Sequence, residues 1–182
     1  MPDSFSPASL RRIRRLAFVV RTMCLIGLVV IGTMPFLFWA QPDWVADVVL
    51  KQWSVGKIQL DLRSRLGGLA GSLLPTAVSL VALWQMWALF GCFARGELLA
   101  REPARHLRRL GVALCLLAFA QPLGRTLSIL ALTLGNPKGE RQLWVGLSSD
   151  HYLSLLFGLL LLALAQVLAE AARVADENAE FI

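Results

Sequence analysis

LSLLFGLLLLALAQVLA, residues 153–169, runs for seventeen positions without a charged side chain. Crossing the hydrocarbon core of a bilayer takes about 20 mostly apolar residues in a helix. In lipid, backbone groups have no water to bond, so such a segment must be helical. Three further stretches have the same character. They are residues 17–39 with Arg21 near the start, 69–93 with no charge, and 110–134 with Arg125 inside it. Composition agrees. Of 182 residues, 57% are apolar and only 16% charged, and the mean hydropathy is +0.62. A soluble domain is nearer half apolar and a quarter charged, and a disordered chain is far more polar. The expectation is therefore an all-α, integral membrane four-helix bundle.

The residues between these spans set the orientation. Residues 1–16, 94–109 and 170–182, with Arg21, carry eleven basic side chains; residues 40–68 and 135–152 carry six. The positive-inside rule places both termini in the cytoplasm, of a bacterial inner membrane on this reading. The net charge of +6 then describes topology and not nucleic-acid binding, because the arginines are split among segments without interleaved aromatics. Trp39, Trp44, Trp53, Trp144 and Tyr152 fall near the outer surface, where such rings prefer to sit. The first span is too long for a signal-peptide core, and no A-x-A site follows Phe38-Trp39-Ala40.

Local patterns add detail. Ser6-Pro7 opens a helix, and Leu10, Ile13 and Ala17 lie opposite Arg11, Arg14 and Arg15, which predicts an interfacial helix leading into the first span. Ile58-Gln59-Leu60-Asp61-Leu62 alternates as a half-buried strand does, and pairing with Gln142–Leu147 would make a small outer sheet. Pro75 and Pro122 are expected to bend their helices. Gly67, Gly68, Gly71 and Ser72 permit close helix approach, within the chain or between two copies.

Few residues invite chemistry. Cys24, Cys92 and Cys115 are widely spaced in apolar surroundings, which excludes a disulfide framework and a zinc knuckle. His106 and His151 fall on opposite sides of the membrane, so they make no haem pair, and His106 reads as a surface residue. Ser148-Ser149-Asp150-His151 holds the residue types of a hydrolase triad, but Ser149 or Asp150 as the cap of the fourth helix explains the run more cheaply. No catalytic, cofactor or metal set emerges, and the chain reads as non-enzymatic. Two polar groups remain. Arg125 with Gln121 inside the third span, and Asp150 above it, form a candidate intramembrane or ligand site; the alternative is an interfacial anchor. Arg101, Arg105 and Arg108 in the inner loop, with Glu170, Arg173, Glu177 and Glu180 in the tail, form either a solvated face or a docking surface for a cytoplasmic protein. Arg21 reads as a snorkelling anchor.

Leu89-Phe90-Gly91-Cys92-Phe93-Ala94-Arg95-Gly96-Glu97-Leu98-Leu99, then Leu107-Arg108-Arg109-Leu110-Gly111, resembles the inner loop of a bacterial membrane family known as domain of unknown function 2975. Leu147-Ser148-Ser149-Asp150 and the tail from Leu164 to Ile182, with its closing Glu177-Asn178-Ala179-Glu180-Phe181-Ile182, resemble that family's fourth span and ending. The sequence departs at Leu99-Ala100-Arg101-Glu102-Pro103, where relatives often carry Phe-Ser and an Asn. The resemblance implies four membrane helices, no assigned reaction, and a small helix-turn-helix regulator as partner. The leading expectation is a membrane scaffold or sensor engaging such a regulator. A small transporter or channel subunit and an outward-facing lipid- or peptide-binding module are the alternatives, and a homodimer is compatible with each.

Overall fold

A computed structural model of the chain describes residues 7–51, 58, 60–97, 100–137 and 145–180. It is all-helical over these residues: α1 Pro7–Ala40, α2 Pro42–Lys51, α3 Leu62–Arg95, α4 Arg101–Thr133 and α5 Ser149–Glu180. Four of the five, α1, α3, α4 and α5, are long and apolar enough to cross a membrane. At 1.5 Å per residue the 34 residues of α1 reach about 51 Å, well beyond a hydrocarbon core of about 30 Å. The expected interfacial helix is therefore not a separate element: Pro7 and Ala40 belong to one uninterrupted helix.

The bundle is open. α3 packs between α1 and α4, and α5 packs on the far side of α4. Among the described residues no Cα of α1 comes within 8 Å of α4 or α5, nor any of α3 within 8 Å of α5. The four helices stand in a row in chain order. The two central helices are joined where side chains vanish. A Cβ on Gly71 would lie 2.9 Å from Ser128 N and 3.0 Å from Gly124 O; one on Gly124 would lie 2.7 Å from Gly71 O and 2.7 Å from the Pro75 ring. Ser128 donates its hydroxyl to Gly68 O at 2.9 Å across the same crossing. The small-residue stripe is thus used within the chain. A second glycine crossing, not apparent in the sequence, joins α4 to α5: a Cβ on Gly111 would lie 2.9 Å from Gly158 O, and one on Gly158 2.9 Å from Gly111 O.

The end away from the start of α1 holds an apolar cluster. Trp39, Val45, Val49, Ile129 and Leu132 are buried together, with Phe38, Ile58, Leu60 and Leu69 packed against them. Trp39 is only 4% exposed, and its indole donates to Ser72 Oγ at 3.0 Å. It is a core residue at the last turn of α1. The stretch after Ala40 forms a helix, α2, within the segment between the first two spans. Its two inward valines, Val45 and Val49, are one turn apart, and Asp43 and Lys51 match its dipole at either end. The alternation at Ile58–Leu62 is a coil and not a strand at the described positions: Ile58 and Leu60 feed the cluster, Asp61 caps α3 by accepting from Ser64 N at 3.3 Å, and Leu62 is already helical. The Ser64 hydroxyl holds the Asp61 carboxyl below its ordinary range. Gln59 and residues 142–144 of the proposed sheet lie outside the described residues.

Candidate functional site

The start of α1 and the end of α5 lie at the same end of the row, since α1 and α4 run one way and α3 and α5 the other. Arg14 of α1 donates to Ala94 O at the end of α3, and Arg101 at the start of α4 bonds Asp176 near the end of α5. This end collects most of the charge, and its turn is set by a local device. α3 stops at Arg95 because Gly96 adopts φ 87°, where a Cβ is penalised. Gly96 N–H then reaches Phe93 O and Glu97 N–H reaches Cys92 O, each at 3.1 Å, which satisfies the last carbonyls. The Arg-Gly-Glu stretch is thus a helix terminator. Its two charges close on each other, with Arg95 Nε and Nη2 2.9 and 2.8 Å from Glu97. That bidentate bond holds the Glu97 carboxyl below its ordinary range.

Cys92, Glu97 and Glu102 bring possible metal-ligand atoms within 4.8 Å of one another. The Arg95 guanidinium already supplies the positive charge there, 2.8 Å from Glu97, 3.7 Å from Glu102 and 3.3 Å from Cys92 Sγ. The donor set is built around arginine and does not call for an ion.

The expected partner-surface residues do meet at this end, and several neutralise one another. Arg101 bonds Asp176 at 3.0 Å. Arg173 bonds Glu170 at 2.5 Å and also pairs with Glu177. These pairs lie three or four residues apart on α5, or bridge α5 to α4, so the tail is braced as a helix. Glu180 is the last residue of α5. Arg105, Arg108 and Arg109 are exposed on α4, and no described acid pairs with them. Two grooves border this arginine ridge. One, about 800 Å³, lies between α4 and α5 and is walled by Arg101, Arg105, Arg108, Val112, Leu162 and Gln166, among others. The other, about 460 Å³, lies between α3 and α4 and is walled by Val81, Gln85, Arg105, Arg108, Val112 and Leu116, among others.

Of the second predicted group, Gln121 and Arg125 stand one turn apart on α4. Arg125 and Gln121 are half-buried on α4, and Asp150 is exposed in the first turn of α5. No ion pair joins Arg125 to Asp150 among the described residues. A smaller cavity of about 210 Å³ near Trp39 is walled by Arg65 and apolar residues, and neither Gln121 nor Arg125 lines it or the two grooves. At the entry to α5, Ser148 stands just before the helix, and its N–H donates to His151 Nδ1 at 2.9 Å. Ser148 thus stands one residue before the helix, and Ser149 and Asp150 are its first two residues.

Three polar partnerships escaped sequence reasoning because each spans two helices. Arg21 lies over the Trp87 ring at 4.2 Å from the centroid, so it is held by α3 as well as drawn toward the interface. His106 is half-buried, with Nδ1 2.8 Å from Gln85 Oε1, and is no mere surface residue. Arg65, assigned to a loop by the sequence, is on α3; it donates to Trp39 O at 2.9 Å and Ala40 O at 2.7 Å and so completes the C-terminus of α1. Only a missing basic residue in the last turn of α1 hinted at that need.

The family described as "Protein of unknown function (DUF2975)" matches residues 45–182, three quarters of the chain, and the chain belongs to it. Neither the curated proteins nor the solved structures yield a match. This is a membrane protein of four spanning-length helices in a family without an assigned activity.

Proposed function

We propose that this chain, a member of a family with no known reaction, is a non-enzymatic scaffold or sensor of the bacterial inner membrane. Both termini face the cytoplasm, and the end that carries them engages a cytoplasmic protein such as a helix-turn-helix regulator. The observation that carries this reading is the braced arm of α5. Its 32 residues span about 48 Å, against about 30 Å of hydrocarbon, so several turns extend past the membrane. Those turns hold Glu170, Arg173, Asp176 and Glu177, and Arg101 ties them to α4. A pre-ordered charged helix loses little entropy when a partner docks on it. The bias of arginine toward this end supports its cytoplasmic placement.

The test is co-purification from mild detergent. Full-length protein should retain a stoichiometric regulator, and the chain lacking residues 176–182 should not. Recovery of no partner by the full chain, or equal recovery by both, overturns the reading. Reporter fusions at Met1 and Ile182 that report opposite compartments would overturn the topology beneath it.

A further inference from the structure

We propose that the arginine ridge of α4 and its two flanking grooves bind an anionic phospholipid. The phosphate sits on Arg105, Arg108 and Arg109, and the acyl chains run along Val112 and Leu116. The first observation is one of charge. At this end Arg95, Arg101 and Arg173 each have a carboxylate partner, and Arg14 reaches a backbone carbonyl. Arg105, Arg108 and Arg109 have no described acidic partner, and they stand within one turn and a half of each other on an exposed face.

The second observation is one of shape. Both grooves share Arg105, Arg108 and Val112, so they flank a single ridge and open on the same side of the row. Charge lies at one end of each groove and apolar side chains at the other. From Arg105 to Leu116 the helix rises about 16 Å, the distance from a headgroup layer into acyl chains. The apolar part is membrane-embedded, so its occupant must carry hydrocarbon as well as negative charge. Basic pockets between membrane helices on the cytoplasmic side select phosphate headgroups on these grounds. A zwitterionic lipid brings its own cation to the arginines and offsets the attraction.

The α4–α5 groove touches the α5 arm at Glu170 and Arg173, which neutralise each other, whereas the groove between α3 and α4 is free of the arm; the proposal requires no protein partner. The full chain, purified in non-ionic detergent, is equilibrated with equal phosphatidylglycerol and phosphatidylcholine of matched chains, and retained lipid is counted by native mass spectrometry. The expected preference for phosphatidylglycerol is at least about tenfold. It should collapse toward equality in the triple variant Arg105→Gln, Arg108→Gln, Arg109→Gln. It should persist in the charge-matched variant Arg11→Gln, Arg12→Gln, Arg15→Gln. Val112→Trp, which intrudes on the wall shared by both grooves and leaves every charge in place, should also lower retention. Equal retention of the two lipids overturns the proposal. So does a preference that survives the α4 triple variant, that falls as far with the α1 arginines, or that ignores Val112→Trp.

Discussion

The two halves of α4 are built to opposite ends. From Pro122 to Thr133 the helix is locked: Pro122, Gly124, Ser128, Ile129, Leu132 and Thr133 are buried, and α3 meets it backbone to backbone. From Arg101 to Val112 it presents arginines and open grooves. Dense packing transmits strain and has few alternatives, whereas a grooved, charged face can change occupants without disturbing its neighbours. Close packing and open groove thus alternate along and around a single helix, since the near half also meets α5 at Gly111 and Gly158. The difference teaches that the far half locks α4 to α3, whereas the near half, joined to α5 at Gly111, keeps an open charged face beside that joint.

The contrast predicts a gradient of effects. Trp39→Ala should be the most severe, costing about 3–5 kcal/mol, because it removes the largest side chain of a buried cluster and leaves a cavity. An unfolding titration in mixed detergent should register it, and a cost near zero would deny the far end its role. Gly124→Val should follow at about 1–3 kcal/mol, since the new carbons meet backbone and the Pro75 ring. Gly27→Val is its sharpening partner: a Cβ there meets only the flexible end of Leu83, at 3.2 Å, so the loss should be much smaller. Gly96→Ala should cost about 1–2 kcal/mol through its left-handed backbone, with nothing within 4 Å to add a clash. Arg173→Gln, among exposed partners, should leave the unfolding midpoint unresolved from that of the parent.

The smallest effect is one of pH. Arg95 lowers the Glu97 carboxyl in the folded chain, so its contribution is present above the ordinary glutamate range and is lost as pH falls through the depressed value. Thermal midpoints should not change on this account between pH 8 and 6. The difference between parent and Glu97→Gln should narrow only below about pH 4. A gap that widens on acidification would reverse the sign of the argument.

The four long helices were legible because lipid demands continuous apolar runs, and no tertiary contact is needed to see them. Helix ends were less legible. α3 begins at Leu62 and α4 at Arg101, seven and nine residues before the apolar runs, because turns outside the hydrocarbon may carry charge freely. The alternation at Ile58 and Leu60 marked residues bound for a core, but coil and strand can both deliver them. Convergence of Arg101, Arg105, Arg108, Glu170 and Arg173 at one end followed from counting crossings. Their mutual neutralisation did not, and neither did Arg65 on α1, His106 on Gln85 or Arg21 on Trp87, because sequence spacing holds no record of neighbours on another helix.

Because the helices stand side by side in the order in which they are synthesised, every large interface joins consecutive hairpin arms. Each arm docks on the one just released into the bilayer, and no later segment has to slip between two already joined. Assembly is a sequence of local closures, the kind that proceeds fastest and exposes the least unfinished surface to misassociation.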